Sequence, residues 1–330
     1  VRGPDGAPVP VATWLHGPDG LLPGPSPTHA ETAALRRALT EELLGALLAT
    51  AFVYVREALK RGVENPEDIE RTGTPVYASI PFTEKQATLE KRLANFKRDK
   101  STASYLLTIN DPADLATEAM RSLRTSLHFA MIEAKNNVLM ITGPSPAVGK
   151  SFVTTNLAAV VAQSGKRVLL IDADMRKGYL HKVMRCDGDK GLSDILSGRI
   201  TLFDAIQKTQ LNNLHVITHG QLPPNPSELL MHENFSRFVK EISHMYDLVI
   251  FDTPPILAVT DAALVGSQAG TTLMVTRYGL NGLKEIEAAK RRLEQNGLLV
   301  KGVIFNAVVR KASTYGEYGY YQYEYASTNK

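Results

Sequence analysis

Six apolar runs, each rich in valine, isoleucine and leucine, recur between residues 138 and 308 of this chain. Their apolar residues are continuous and do not alternate with polar ones, which is typical of strands that are covered on both faces. Helical patterns separate the runs, so the chain predicts an α/β fold with a mostly parallel sheet and helices on both faces. Ligands are then expected at the carboxyl ends of the strands.

The predicted strands are 138–143, 167–174, 214–220, 247–253, 271–277 and 301–308, with a further short strand at 76–81. The predicted helices between them are 150–164, 233–245, 260–269 and 282–295.

Composition excludes some classes of function. A length of 330 residues suggests about two domains. The formal net charge of +3 is too small to indicate a nucleic-acid partner, and the sequence has no zinc-finger or RNA-binding motif. Cys186 is the single cysteine, so the chain forms no internal disulfide and suits a reducing compartment.

The first hundred residues differ from the rest. Residues 1–30 are rich in proline and glycine, which predicts an irregular linker or a foreign segment. Residues 31–100 are predicted to be a helical juxtamembrane segment and a connector. The apolar run from Leu43 to Val55 is shorter than the roughly 18–20 residues that span a bilayer. Two readings stay open: the remnant of a transmembrane helix, or an amphipathic helix of a soluble protein.

A glycine-containing turn follows the first of the six apolar runs and leads into a helix. It ends in Gly149-Lys150-Ser151, the core of a phosphate-binding loop. The strict motif has glycine where this chain has Pro144, with Gly143 one place earlier. The predicted nucleotide contacts are Gly143, Ser145, Ala147, Val148, Gly149, Lys150, Ser151, Phe152, Arg176 and Asn306.

Two later strands end in carboxylates, Asp172 with Asp174 on one and Asp252 on the other. Because parallel strands end at the same edge of a sheet, these acids are expected beside the phosphates. An aspartate after four apolar residues is the usual Mg²⁺-organising partner of a phosphate loop. The sequence therefore predicts a site for ATP and Mg²⁺.

Four side chains are predicted to be catalytic: Lys150, Asp172, Asp174 and Asp252. Lys150 neutralises phosphate charge, while Ser151, Asp174 and Asp252 bind or order the metal. Asp172 is the predicted acceptor of a substrate proton. Spacing alone leaves the roles of Asp172 and Asp174 interchangeable.

The end of the chain carries half of its twelve tyrosines. Glycine, glutamate and glutamine separate them, so the segment buries too little apolar surface to fold alone. Residues 310–330 are therefore predicted to form a disordered tail whose hydroxyls are modified, a terminal strand being the alternative. The predicted phosphate acceptors are Tyr315, Tyr318, Tyr320, Tyr321, Tyr323 and Tyr325.

Together these features resemble the bacterial tyrosine kinases, or BY-kinases. The resemblance is carried by the loop ending in GKS, the runs ending in DADMR and DTPP, and the tyrosine cluster, and it extends from about residue 61 to the end. It implies a P-loop NTPase-like kinase domain over residues 101–309. It also implies the autokinase part of a polysaccharide co-polymerase, at the cytoplasmic face of the bacterial inner membrane.

The family's E-x2-R-x2-R motif is matched by Glu118, Arg121 and Arg124. In the family this motif builds a ring of subunits in which each tail reaches a neighbour's active site. The resemblance thus implies that the chain's partners are further copies of itself, a membrane-embedded co-polymerase region and a cognate tyrosine phosphatase.

Two other functions compete with the kinase. A partitioning ATPase of the MinD/ParA type shares the fold, but it has a second lysine where this chain has Ser145, and it lacks a terminal tyrosine cluster. A non-catalytic scaffold that binds nucleotide only for stability would not need Lys150 and the three aspartates. Three outcomes distinguish these functions. Phosphotyrosine would favour the kinase, ATP turnover without phosphotyrosine the ATPase, and nucleotide binding without turnover the scaffold.

Overall fold

The computed structural model of the chain describes residues 40–51, 62–98 and 104–309. The predictions for residues 1–30 and for the six tail tyrosines lie outside these ranges. The chain divides into two units, residues 1–60 and 61–330. In the first unit the described residues 40–51 form helix α1, whose Leu43 and Leu47 are 65% and 66% exposed. Among the described residues, no helix is both long and apolar enough to cross a bilayer.

The second unit is built on one eight-stranded sheet with the order β1-β8-β7-β2-β6-β3-β5-β4. Seven strands pair in parallel, and β4 pairs antiparallel with β5 at the edge. The strands are β1 (Val76–Pro81), β2 (Val138–Thr142), β3 (Val168–Asp172), β4 (Gln207–Lys208), β5 (Leu214–Ile217), β6 (Leu248–Asp252), β7 (Thr271–Arg277) and β8 (Val300–Val308). The predicted mostly parallel sheet is confirmed; β4 was not predicted.

Helices lie before and between these strands. In the second unit they are α2 (Pro66–Glu70), α3 (Glu84–Ala94), α4 (Leu107–Asn110), α5 (Leu115–Met131), α6 (Lys150–Gln163), α7 (Leu180–Met184), α8 (Leu192–Leu196), α9 (Leu202–Ala205), α10 (Pro226–Met231), α11 (Glu233–Met245), α12 (Asp261–Gln268) and α13 (Leu283–Glu294). A short 3₁₀ helix spans Phe96–Arg98. The four predicted helices correspond to α6, α11, α12 and α13.

Both faces of the sheet are buried. Along β2, Val138 and Met140 belong to the core on one face, while Leu139 and Ile141 belong to the core on the other. A strand between two cores needs apolar residues at every position, which explains the continuous runs. Strand β1 pairs with β8, so the sheet includes a strand from the segment 31–100 that the sequence assigned to the connector.

Helix α6 is buried on nearly all sides, from Val153 to Ala162. It packs between the sheet and α5, and it begins at Lys150. A helix that is apolar all round is held by its surroundings and not by one face alone. The phosphate loop that precedes α6 therefore rests on a rigid support.

Candidate active site

The turn between β2 and α6 has the backbone of a phosphate-binding loop. Ala147 and Gly149 have left-handed backbone conformations, with φ of 63° and 90°. A Cβ atom at Gly149 would lie 2.1 Å from the Asn306 side chain, and one at Gly143 would lie 2.8 Å from Val148, so both positions require glycine. No side chain caps the start of α6 at Gly149, which leaves its first N–H groups for an anion.

Three polar side chains from the ends of β7 and β8 hold this loop. Arg277 donates to the Ala147 carbonyl at 3.0 Å, and Asn281 donates to the Ser145 hydroxyl at 2.9 Å. Asn306 donates to the Val148 carbonyl at 3.0 Å. Asn306 was predicted as a nucleotide contact, and the structure places its amide nitrogen on the loop. Sequence reasoning missed Arg277 and Asn281, although Arg277 ends an apolar run as the site aspartates do.

Two carboxylates stand side by side where β3 and β6 end, because Asp172 and Asp252 are paired in register. Asp252 is 3% exposed, and its two oxygens accept hydrogen bonds from Ser151 at 2.5 Å and Thr154 at 3.2 Å. The structure thus joins the end of β6 to the hydroxyl of the phosphate loop. Thr154 was not predicted as a site residue.

Asp172 and Asp174 occupy different surroundings. Asp172 is fully buried, and its two oxygens accept backbone hydrogen bonds from Asp174 at 3.2 Å and Leu180 at 3.1 Å. Gly178 lies directly over it, since a Cβ there would be 2.5 Å from the Asp172 carboxylate. Asp174 lines a cavity of about 390 Å³ together with Lys150, Ser151 and Asp252.

The charges of the site affect one another. Burial, and next the negative charge of Asp252, raise the pKa of Asp172 well above its usual range. Burial raises the pKa of Asp252 to about 6, against the opposing effects of Lys150 and the Ser151 hydrogen bond. Burial also lowers the pKa of Lys150, while Asp252 and Asp174 oppose that shift. Lys150 thus faces the negative charges of both Asp252 and Asp174, and this local excess of negative charge suits a cation.

This charge imbalance gives a stability prediction for Asp252→Asn. The Asp252 carboxyl has a higher pKa in the folded chain than in the unfolded chain, so its ionisation lowers the free energy of unfolding. This loss develops as the pH rises from the unfolded pKa of about 4 to the folded pKa of about 6. At pH values above this range, the loss of unfolding free energy is complete and amounts to about 3 kcal/mol. We expect Asp252→Asn to raise the free energy of unfolding at about pH 8 by ~1–3 kcal/mol, and to have little effect below about pH 4.

Urea unfolding without nucleotide or metal measures this change. Asp189→Asn, an exposed carboxylate outside the cavity, serves as the matched control. If Asp252→Asn is less stable than the parent chain at about pH 8, the prediction that the buried Asp252 charge lowers the free energy of unfolding is contradicted.

Arg176 does not line the cavity. Its guanidinium forms two hydrogen bonds with the buried Asp261, at 2.7 and 3.1 Å. Ser227 donates to the same carboxylate at 2.6 Å. Arg176 therefore fixes the loop after β3 to the start of α12. Its role as a nucleotide contact stays a prediction.

Tyr179 lies at the mouth of the cavity and is 39% exposed. Burial of the hydroxyl end raises the pKa of Tyr179, against the opposing effect of the neighbouring Ser151 hydroxyl. Sequence reasoning missed Tyr179, although it follows the DADMR run within a few residues.

The chain has a phosphate loop on a mostly parallel sheet, and a lysine, a hydroxyl and the acidic ends of two strands meet at one cavity. These features define a P-loop nucleotide-binding protein whose oxygen ligands suit a divalent metal. A sequence profile of the AAA domain matches residues 137–298. The chain is 53% identical over 290 residues to "Tyrosine-protein kinase wzc" of Salmonella typhimurium, a match that covers 87% of this chain and 40% of that protein.

Two solved structures extend the comparison. The kinase domain of Escherichia coli tyrosine kinase ETK matches with a TM-score of 0.70 and 50% identity, over 78% of this chain and all of that one. The BceF tyrosine kinase domain matches with a TM-score of 0.69 and 43% identity, over 75% of this chain and all of that one. The chain belongs to the bacterial tyrosine kinase family. It spans about 40% of the length of the curated relatives that it matches.

Proposed function

We propose that this chain is an ATP-dependent protein-tyrosine kinase that phosphorylates its own C-terminal tyrosine cluster between subunits. The observation that carries the proposal is the cavity in which Lys150, Ser151, Asp174 and Asp252 meet. The sequence places six tyrosines shortly after β8, the last described strand. The names of the relatives agree with this reaction.

The residues present fit ATP and Mg²⁺. Ser151 and Asp252 offer the hydroxyl and carboxylate oxygens that Mg²⁺ prefers, and the uncapped start of α6 offers N–H groups to phosphates. Bound Mg²⁺ would neutralise charge on the transferring phosphoryl group. Lys150 supplies the further positive charge of the chain itself at this place.

A carboxylate must take the proton of the tyrosine hydroxyl. Asp174 lines the cavity, whereas Asp172 lies beneath Gly178 and would need the 178–179 turn to move away. Both assignments stay open, as they were on spacing alone. The side-chain amide oxygen of Asn306 is buried and has no hydrogen-bond partner among the described residues, which leaves an acceptor for a nucleotide amino group.

For the whole protein we propose a ring on the cytoplasmic face of the bacterial inner membrane, attached to a membrane-embedded co-polymerase region and reset by a cognate tyrosine phosphatase. Its phosphorylation state would control polysaccharide synthesis and export. Several of the relatives carry the name tyrosine-protein kinase wzc or etk.

The contact between subunits is proposed on the exposed side of α5. In the single chain Glu118 and Arg121 form an ion pair on one helix, a contact worth only ~0.2–0.5 kcal/mol. The same side exposes Phe129 and Ile132, each 66% accessible. Arg124 lines a second cavity of about 530 Å³ beside them. Large apolar residues exposed next to charged groups are typical of an interaction surface.

This surface leads to a prediction about assembly. We expect a large oligomer before phosphorylation and a shift toward monomer after incubation with MgATP. Each phosphate adds roughly −1.5 to −2 charges to a tail that must dock beside aspartates. Arg121→Ala with Arg124→Ala is expected to be monomeric throughout and poorly phosphorylated, because labelling occurs between subunits. Light scattering measures the mass, and anti-phosphotyrosine blotting measures the label.

The matched control is Arg71→Ala with Arg237→Ala. These two arginines also pair with a carboxylate close in sequence and are exposed, but they lie outside α5. The control is expected to behave as the parent chain. One mass in all samples would reject the coupling of phosphorylation to assembly.

The activity itself is tested by incubating the purified chain with MgATP and locating phosphotyrosine by mass spectrometry. Phosphate on the tail tyrosines supports the kinase. ATP hydrolysis without phosphotyrosine would favour the partitioning ATPase, and nucleotide binding without turnover would favour the scaffold.

A further inference from the structure

The two loops that carry the acids of the site meet at their bases. Asp172 and Asp252 are paired in register where β3 and β6 end. The chain then continues as loop 173–178 after β3 and as loop 253–260 after β6. Asp174 lies on the first of these loops, two residues beyond the paired position. Pairing within the sheet therefore fixes Asp172 and Asp252 but not Asp174.

A turn of the first loop holds the Asp174 carboxylate. Its Oδ1 accepts hydrogen bonds from the backbone N–H groups of Arg176 at 3.2 Å and Lys177 at 2.9 Å. The Gly178 N–H donates to the Asp174 carbonyl at 2.7 Å, which closes the turn. Holding one oxygen of a carboxylate sets the direction of the other. The direction in which Asp174 faces the cavity therefore depends on where the Arg176 backbone lies.

The Arg176 side chain fixes that backbone to a distant helix. Its Nε and Nη2 donate to Asp261, the first residue of α12, at 2.7 and 3.1 Å. A two-point contact between a guanidinium and a carboxylate fixes both their distance and their orientation. Asp261 directly follows loop 253–260. The two acidic loops are thus joined twice, once in the sheet and once by this ion pair.

A third segment holds the same carboxylate. The Ser227 hydroxyl of α10 donates to Asp261 at 2.6 Å and accepts from Arg176 at 3.4 Å. Helix α10 packs against α12. Asp261 is fully buried, and a buried carboxylate needs such donors to offset its lost hydration. Arg176, Ser227 and Asp261 form one hydrogen-bonded cluster, which we call the loop clamp.

Loop 253–260 also contacts the phosphate loop. The Ile256 N–H donates to the Gly143 carbonyl at 3.0 Å. Since Asp261 follows this loop, the loop clamp ties Asp174 to the frame that holds the phosphate loop.

We propose that the loop clamp positions the metal site. It holds Asp174 at a fixed place relative to Asp252 and the phosphate loop. Arg176, Ser227 and Asp261 are not among the residues that line the cavity, so they are positioning residues that act through Asp174. This inference rests on the proposed MgATP-dependent kinase. It adds the residues that set the affinity of the site for the metal.

The test measures binding of a fluorescent ATP analogue to the purified chain while Mg²⁺ is titrated. Arg176→Gln and Asp261→Asn are each expected to raise the Mg²⁺ concentration at half-saturation about tenfold, with the affinity in EDTA unchanged within about twofold. The double variant is expected to show no larger shift than either single variant, since both changes break the same contact. Autophosphorylation should be slow at low Mg²⁺ and recover at saturating Mg²⁺.

The matched control is Arg167→Gln. Arg167 pairs with Asp247 at 3.0 Å and joins the segments that precede β3 and β6, at the opposite ends of the same two strands. Its Mg²⁺ titration is expected to match that of the parent chain. An equal shift in this control would overturn the proposal, because the effect would then follow from losing any arginine that links the two strands.

The affinity in EDTA separates positioning from other roles. If Arg176→Gln lowers this affinity while Asp261→Asn leaves the Mg²⁺ half-saturation unchanged, Arg176 contacts the nucleotide directly and the proposal is overturned. An equal loss of affinity with and without Mg²⁺ would show a merely structural role and would also overturn it. The same holds if neither variant changes the Mg²⁺ half-saturation.

Thermal unfolding shows whether each variant folds. If Asp261→Asn does not fold, Ser227→Ala is measured instead, since it removes a single neutral donor to the same carboxylate. It is expected to raise the Mg²⁺ half-saturation about threefold. The binding measurements need no phosphotyrosine. A parent chain that binds the analogue with Mg²⁺ but forms no phosphotyrosine would therefore reject the kinase activity and leave the loop clamp to the Mg²⁺ titration.

Discussion

Replacing Lys150 with methionine is expected to lower the initial rate of tyrosine autophosphorylation by ~10³-fold or more, by analogy with the effect of a single arginine on phosphoryl transfer. Lys150 is the one lysine at the start of α6, and it faces Asp252 and Asp174 across the cavity. Methionine has a similar length and no charge, so the change removes the electrostatic contribution with little loss of packing. Anti-phosphotyrosine blotting over a time course in MgATP measures the rate.

Lys284→Met is the matched control, because Lys284 is exposed on α13 and does not line the cavity. It is expected to label at the parent rate. Equal labelling of the Lys150 variant and the parent would reject the assignment of Lys150, and loss of labelling in both variants would point to a general effect of lost charge.

The second large effect is expected from removing residues 314–330. Labelling should fall at least tenfold, while the affinity for a fluorescent ATP analogue changes by no more than about twofold. The reason is that the phosphate loop, the carboxylates and the residues that hold the loop all lie between residues 143 and 306. The tail then acts as substrate and contributes nothing to the nucleotide site.

Residual label in the truncated chain is expected at Tyr179, whose hydroxyl already lies in the cavity. Tyr105 and Tyr246 are 4% and 7% exposed and are poor acceptors. Mass spectrometry of the full chain checks the assignment. Phosphate found mainly on tyrosines other than those of the tail would mean that the tail is not the principal acceptor.

Most of the sheet was predictable because each strand lies between two cores. Continuous apolar runs such as that of β6, whose five residues are all buried, give a signal that needs no knowledge of the partners. Strand β4 has two residues, one half-buried and one exposed, and is too short to show a period. Short helices such as α7 and α8, of five residues each, are likewise too short to show a clear hydrophobic period.

The candidate site was predictable in part, for a related reason. The GKS sequence and the aspartates that end β3 and β6 have fixed places relative to their strands, and parallel strands end at one edge. The structure does bring Lys150, Ser151, Asp174 and Asp252 to one cavity. The bonds from Arg277 and Asn281 to the loop join residues 130 or more positions apart, and no local pattern indicates such contacts.

Local periodicity and residue type were enough to predict the order of the strands along the chain, the phosphate loop and the chemistry of its acidic partners. The packing of distant segments places Asp172 beneath Gly178, pairs Arg176 with Asp261 and brings α3 to the wall of the cavity. Burial and ion pairing depend on which distant segments pack together. A side chain's neighbours therefore separate two aspartates that the sequence presents as equivalent.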